Sequence, residues 1–164
     1  MDPLFRLIEE SGLSTWLRES ESIFAFPATF TLHVVSVGLV VGISVAINLR
    51  LLGFLPKVSL AATERYLPIF WFALLLNVSS GVLLMIGYPT KTLTNPLFYV
   101  KIGAIVLALA TLFAVRRSIA AAPDPEHPSA RMKGLAVASL GLWAVAVAGG
   151  RLLAYTYTRL LVDF

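Results

Sequence analysis

Four long stretches of this chain carry almost no charge. No charged residue lies between Glu21 and Arg50, between Arg65 and Lys91, or between Lys133 and Arg151, and only Lys101 interrupts the run from Lys91 to Arg116. A helix needs about 20 apolar residues to cross the hydrocarbon of a bilayer, so each stretch is long enough to span it. Soluble domains carry about 25% charged residues; here the charged fraction is 13% and the hydrophobic fraction 58%. The pattern excludes soluble enzyme folds. It predicts an all-α integral membrane four-helix bundle, because β-barrel strands would alternate over about ten residues and these runs are continuous.

Local signals place the boundaries. The first span is expected from about 28 to 52, introduced by Pro27 and closed by Arg50 and Gly53, and the second from about 66 to 88 with Pro68 in its first turn. Asn95-Pro96 reads as an N-cap followed by proline at the first helical position, so the third span runs from 96 to about 115. A polar, proline-rich loop at 121–129 precedes the fourth, from about 132 to 155. Residues 1–23 form a separate segment before the bundle at 24–164. Phe5, Ile8 and Trp16 recur there at helical spacing among Glu9, Glu10 and Arg18, the pattern of an amphipathic helix lying in the membrane interface. With no basic stretch ahead of an apolar core at the start, the first span is expected to act as its own insertion signal.

Orientation follows from Lys and Arg in short loops. The loops after spans one and three hold seven (Arg50, Lys57, Arg65, Arg116, Arg117, Arg131, Lys133), and the other side holds four (Arg6, Arg18, Lys91, Arg159). Both termini are therefore expected outside, on the periplasmic face of a bacterial inner membrane. The net charge of +4 is spent on topology, with no basic run interleaved with aromatics to suggest nucleic acid. Small residues at Gly38, Gly42 and Ala46, and at Gly134, Ala138, Gly141 and Ala148, mark stripes where another helix could approach closely.

Polar groups inside hydrocarbon are costly and each poses a functional question. On the helical wheel Thr29, Ser36, Ser44 and Asn48 fall near His33, giving span one a polar face opposite Gly38 and Gly42. In span two Asn77, Ser80 and Gly81 share a face. By depth, His33, Met85, Lys101 and Arg151 all lie one to two turns below the outer surface, in the layer of Tyr88, Tyr99 and Tyr155. No Asp or Glu lies inside any span, so Lys101 and Arg151 invite an anion such as a haem propionate, a lipid phosphate or an anionic small molecule. His33 is a candidate ligand for haem iron or copper, with Met85 as a second ligand; the cationic surroundings tip this toward haem b. Zero cysteines exclude Fe–S clusters, thiolate zinc sites and covalently attached haem. With one histidine in the spans, haem would need His/Met ligation, a five-coordinate iron or a homo-oligomer in which two subunits each give His33. The plainer reading has Lys101 and Arg151 snorkelling to the headgroups, His33 bonding a neighbouring helix and Met85 filling the core. No catalytic triad, phosphate loop or metalloprotease motif is present, so a binding or accessory subunit is expected rather than an enzyme.

Thr31-Leu-His-Val-Val-Ser-Val-Gly38, the run Asn48-Leu-Arg-Leu-Leu-Gly53, Ser80-Gly-Val-Leu-Leu-Met85, Asn95-Pro-Leu-Phe-Tyr-Val-Lys101 and Arg116-Arg117 together resemble bacterial four-span membrane proteins related to copper resistance protein D. The resemblance covers about residues 24–117. It implies a periplasm-facing metal or redox context, with His33 and Lys101 at the matching positions and a periplasmic redox or metal-carrier protein as partner. The chain has half the spans of the full copper-resistance protein and few methionines.

Overall fold

The computed structural model describes residues 3–121 and 127–160. Within them the chain forms helices α1 (Pro3–Glu9), α2 (Gly12–Glu19), α3 (Phe26–Leu52), α4 (Leu60–Glu64), α5 (Leu67–Gly87), α6 (Pro89–Leu93), α7 (Pro96–Ala120) and α8 (Ala130–Leu160), with no strand. Helices α3, α5, α7 and α8 supply four segments long and apolar enough to cross a membrane, so the protein is an all-α, multi-pass membrane protein. Most of the expected 121–129 loop, and residues 1–2 and 161–164, lie outside the described residues.

The helix ends follow their local chemistry. Pro27 sits in the first turn of α3, where its missing N–H would have had no partner. At the other end Gly53 adopts φ 93°, its N–H bonds Arg50 O, and the Phe54 N–H bonds Leu49 O, the Schellman arrangement that favours glycine. The Asn95 side chain caps α7 by accepting from the Leu97 N–H at 3.0 Å, with Pro96 at the first position. Helix α7 runs on to Ala120, past the expected limit near 115, because Arg116 and Arg117 are exposed and arginine sustains a helix outside the hydrocarbon.

The amphipathic N-terminal segment is two helices rather than the one expected. Ser11 breaks it: its hydroxyl donates to Ile8 O at 2.6 Å and accepts from the Ser14 N–H at 3.3 Å, ending α1 and capping α2. Arg18 Nη2 closes the corner on Glu9 O at 2.8 Å. Helix α2 docks on the last turn of α5 through buried Leu17 and Ser14. A Cβ at Gly87 would lie 2.8 Å from Leu17 Cδ2, so glycine is what admits that contact.

The four long helices pack in the order α5, α3, α8, α7, with α7 and α8 in contact over the greatest length. On the remaining side Trp71 of α5 and Phe113 of α7 meet with ring centroids 5.6 Å apart. The predicted polar face of α3 points inward: Thr29, Ser36, Ser44 and Asn48 are buried, and Asn48 Nδ2 donates to Ser139 Oγ on α8 at 3.0 Å. The glycine stripes do not pack within the chain. Gly38, Gly42, Gly134 and Gly141 would each accept a Cβ with nothing within 4 Å, and Ala46, Ala138 and Ala148 are exposed. The buried small residues of α7 and α8 are instead Ala104, Ala108, Ala136 and Ala146, and Gly149 of α8 lies against the α7 backbone, a Cβ there falling 3.8 Å from Leu97 O. Alanine can serve there because dispersion between approaching backbones, not burial from water, drives association in lipid.

The core is concentrated toward the end of the bundle away from α1, α2 and α6. Leu51, Leu60, Leu67, Phe70, Leu112, Val115, Met132 and Ala136 are buried there. Arg50 is buried at the same end, with its Nε donating to Val58 O. The half nearer α6 holds a cavity instead.

Candidate functional site

The cavity has a volume of about 310 Å³, within the range of small-ligand sites. All four long helices contribute. Val37, Val40, Val41, Leu74, Ile105, Trp143 and Ala146 make its walls apolar, and His33, Asn77, Lys101 and Arg151 supply its polar groups. No carboxylate is among the lining residues. The polar groups all fall in the half of the bundle nearer α6. At about 1.5 Å per residue, His33 lies about 10 Å from the start of α3, Lys101 about 7.5 Å from the start of α7 and Asn77 about 15 Å from the end of α5, all measured from the α6 end.

The imidazole of His33 is held by α5. Its Nδ1 lies 3.1 Å from Ser80 Oγ, and its ring rests on Gly81, where a Cβ would come within 3.2 Å of Cε1. The Ser80 proton goes to helix carbonyls, Leu76 O at 2.7 Å and Asn77 O at 3.1 Å. The Asn77 amide donates to His33 O at 3.2 Å and to Ser36 Oγ at 3.3 Å. With those protons committed, Ser80 Oγ is an acceptor and His33 Nδ1 carries the hydrogen. The lone pair is therefore on Nε2, which no described residue hydrogen-bonds. Bonding to a neighbouring helix and availability as a ligand are thus combined in one ring: the first fixes the tautomer that the second needs.

Lys101 is directed across the bundle. Its side chain runs along a notch in α8 made by two glycines: a Cβ at Gly149 would meet Lys101 Cβ at 3.5 Å, and one at Gly150 would meet Cε and Nζ at 3.6 Å. The stem is thereby carried into the cavity, and no described residue offers the ammonium an ion pair or hydrogen bond. The guanidinium of Arg151 lines the same cavity and lies over the Tyr155 ring, 5.0 Å from its centroid. Asn95 Nδ2 ties the start of α7 to Thr156 Oγ1 of α8 at 2.9 Å, holding the two cation-bearing helices in register.

Of the residues singled out from sequence, the fold brings His33, Lys101 and Arg151 to one cavity. Met85 is half-buried on α5 and is not among the lining residues. Among the described residues there is no group of three or more His, Asp or Glu that could hold a metal ion by itself. Sequence reasoning missed Gly149 and Gly150, whose only signal was a glycine pair directly before an intramembrane arginine, and did not assign Gly81 as the seat of the imidazole.

Fold and site together define a four-span membrane protein with a one-ended, cation-rich cavity. The chain belongs to DUF6644, a family of unknown function, which matches residues 5–156. No curated protein and no solved structure matches it.

Proposed function

We propose that this protein is a small haem b-binding accessory subunit of a bacterial inner membrane, oriented with its cavity in the periplasmic leaflet. The observation that carries the reading is the convergence of one tautomer-fixed imidazole and two cations, without a carboxylate, in one apolar cavity. His33 Nε2 would hold the iron, Lys101 and Arg151 would pair with the propionates, and the Val, Leu, Ile and Trp walls would take the apolar macrocycle. Haem bound there would supply one-electron chemistry. The chain's own part is to orient the ligand, neutralise the propionates and exclude water. The excess of Lys and Arg in the loops at the opposite end supports a periplasmic site, and a periplasmic redox protein is the corresponding partner.

Copper handling, implied by the resemblance to copper resistance protein D, would use His33 with Met85. The geometry favours haem, because Met85 lies outside the cavity and two unneutralised cations repel a bare metal ion. The visible spectrum of gently purified protein tests the reading. A Soret band lost in His33→Ala and weakened in Lys101→Ala is expected. Absence of that band in the wild type, or its persistence in His33→Ala, overturns the proposal; copper retained after loading in a His33- and Met85-dependent manner would establish the other.

A further inference from the structure

The lining of the cavity is exposed on one side only. Phe30 and Val34 of α3 and Val147, Arg151 and Ala154 of α8 are exposed, whereas every lining residue of α5 and α7 is at least half-buried. Val34 and Val147 retain 51% and 47% of their accessible surface, although both line the cavity. Val34 is about 12 Å from the start of α3, and Val147 about 13 Å from Thr156, at 1.5 Å per residue. Surface exposed at that depth of a spanning helix faces acyl chains, not water. At the axial end lies α6, which follows α5 directly and packs on α1, α5 and α7. Phe26 and Tyr88 meet edge-on there at 6.1 Å, Pro89 is buried, and Lys91 Nζ lies 3.5 Å from Ala154 O.

We infer that the cavity opens sideways into the bilayer through a seam between α3 and α8, and that it exchanges a membrane-dissolved amphiphile with an anionic head directly with the lipid. The inference rests on the reading that the cavity holds such an anion, and it adds the route. Arg151 sits at the rim of the seam and Lys101 deeper within, so an anionic head would pass from the first cation to the second while its apolar body stays among Val34, Val147 and the lipid. No aqueous step is required.

The test uses hemin as the probe and the full chain throughout. Equilibrium titration in detergent reads whether the site binds at all; transfer from phosphatidylcholine–phosphatidylglycerol vesicles to proteoliposomes reads the route. Narrowing the seam with Val147→Trp is expected to slow hemin uptake and hemin release together, each about tenfold, because a constriction acts equally in both directions. Val106→Trp on α7, exposed and not among the lining residues, is expected to alter neither. As the chain has no cysteine, a bimane attached to Val34→Cys reports the seam without a bulky substitution, and brominated lipid is expected to quench it. Faster release with unchanged uptake in Val147→Trp, an unquenched bimane, or disulfide-linked dimers through Val34→Cys would each overturn the lateral route while leaving hemin binding intact. No hemin binding in detergent by the wild type would remove the haem reading and the route with it.

Discussion

Removing the Ser80 hydroxyl tests the central piece of chemistry in the site. In Ser80→Ala the Nδ1–H of His33 loses its acceptor at 3.1 Å. Keeping that tautomer leaves the donor only the Asn77 carbonyl that Ser80 vacates, and losing a good buried partner costs up to about 1–3 kcal/mol. The alternative tautomer lets Nδ1 accept from Asn77 Nδ2, 3.4 Å away, but moves the proton to Nε2 and removes the lone pair from the cavity. Either way ligation weakens. Loss of such a supporting partner lowers metal-site affinity by about 10–100-fold, which is about 1.4–2.8 kcal/mol at 1.4 kcal/mol per tenfold. The α3–α5 contact loses one hydrogen bond, worth about 0.6 kcal/mol between helices in a bilayer, so thermal stability should change little. Hemin titration and a melting curve on the same preparation separate the two effects. The chain has only two histidines, so selective nitrogen-15 labelling reads the His33 tautomer directly, and the wild type should show its proton on Nδ1. A wild type protonated on Nε2, or a Ser80→Ala affinity within twofold of wild type, refutes the reasoning.

Other substitutions follow from the same geometry. Gly150→Val places its branched side chain where Lys101 Cε and Nζ run; hemin affinity should fall about tenfold with a nearly unchanged melting temperature, and an unchanged affinity would show that Lys101 does not act from that notch. Asn48→Ala breaks the buried bond to Ser139 far from the cavity. It should lower stability by about 0.6–1.7 kcal/mol in steric-trap or denaturant unfolding while leaving hemin binding alone. Gly42→Leu enters open space and should be neutral for a chain that works alone. A shift in apparent mass in detergent on this substitution would instead identify the α3 stripe as a contact between copies.

Depth along each helix was legible in the sequence, and direction around it only in part. Charges and caps such as Asn95-Pro96 and Gly53 set where each span begins and ends, which is why His33, Lys101 and Arg151 could be placed in one layer before any packing was known. Direction needs contrast around the helix, and lipid provides little, since an acyl chain is as apolar as a leucine. Helix α3 revealed its inward face because Thr29, Ser36, Ser44 and Asn48 mark it. Helix α5 offers Asn77 and Ser80 but nothing to orient Met85, which lies nearer the end of the helix and off the cavity. The glycine stripes were ambiguous for the same reason: a small residue suits a helix partner, a lipid tail or a lysine stem, and only the fold distinguishes Gly42, which faces outward, from Gly150, which seats Lys101. The split of α1 from α2 turned on how Ser11 satisfies two neighbouring turns at once, which residue type alone does not specify.

The packed half of the bundle has a bearing on directionality. Beyond Val40, Leu74 and Trp143 the helices are sealed by Ile47, Phe70 and Leu112, so the cavity is a blind alcove. A passenger that enters must leave on the side from which it came, and its charge never crosses the membrane potential. Such a vessel can store, present or hand over its contents within a single leaflet, and the transmembrane voltage does not drive that exchange.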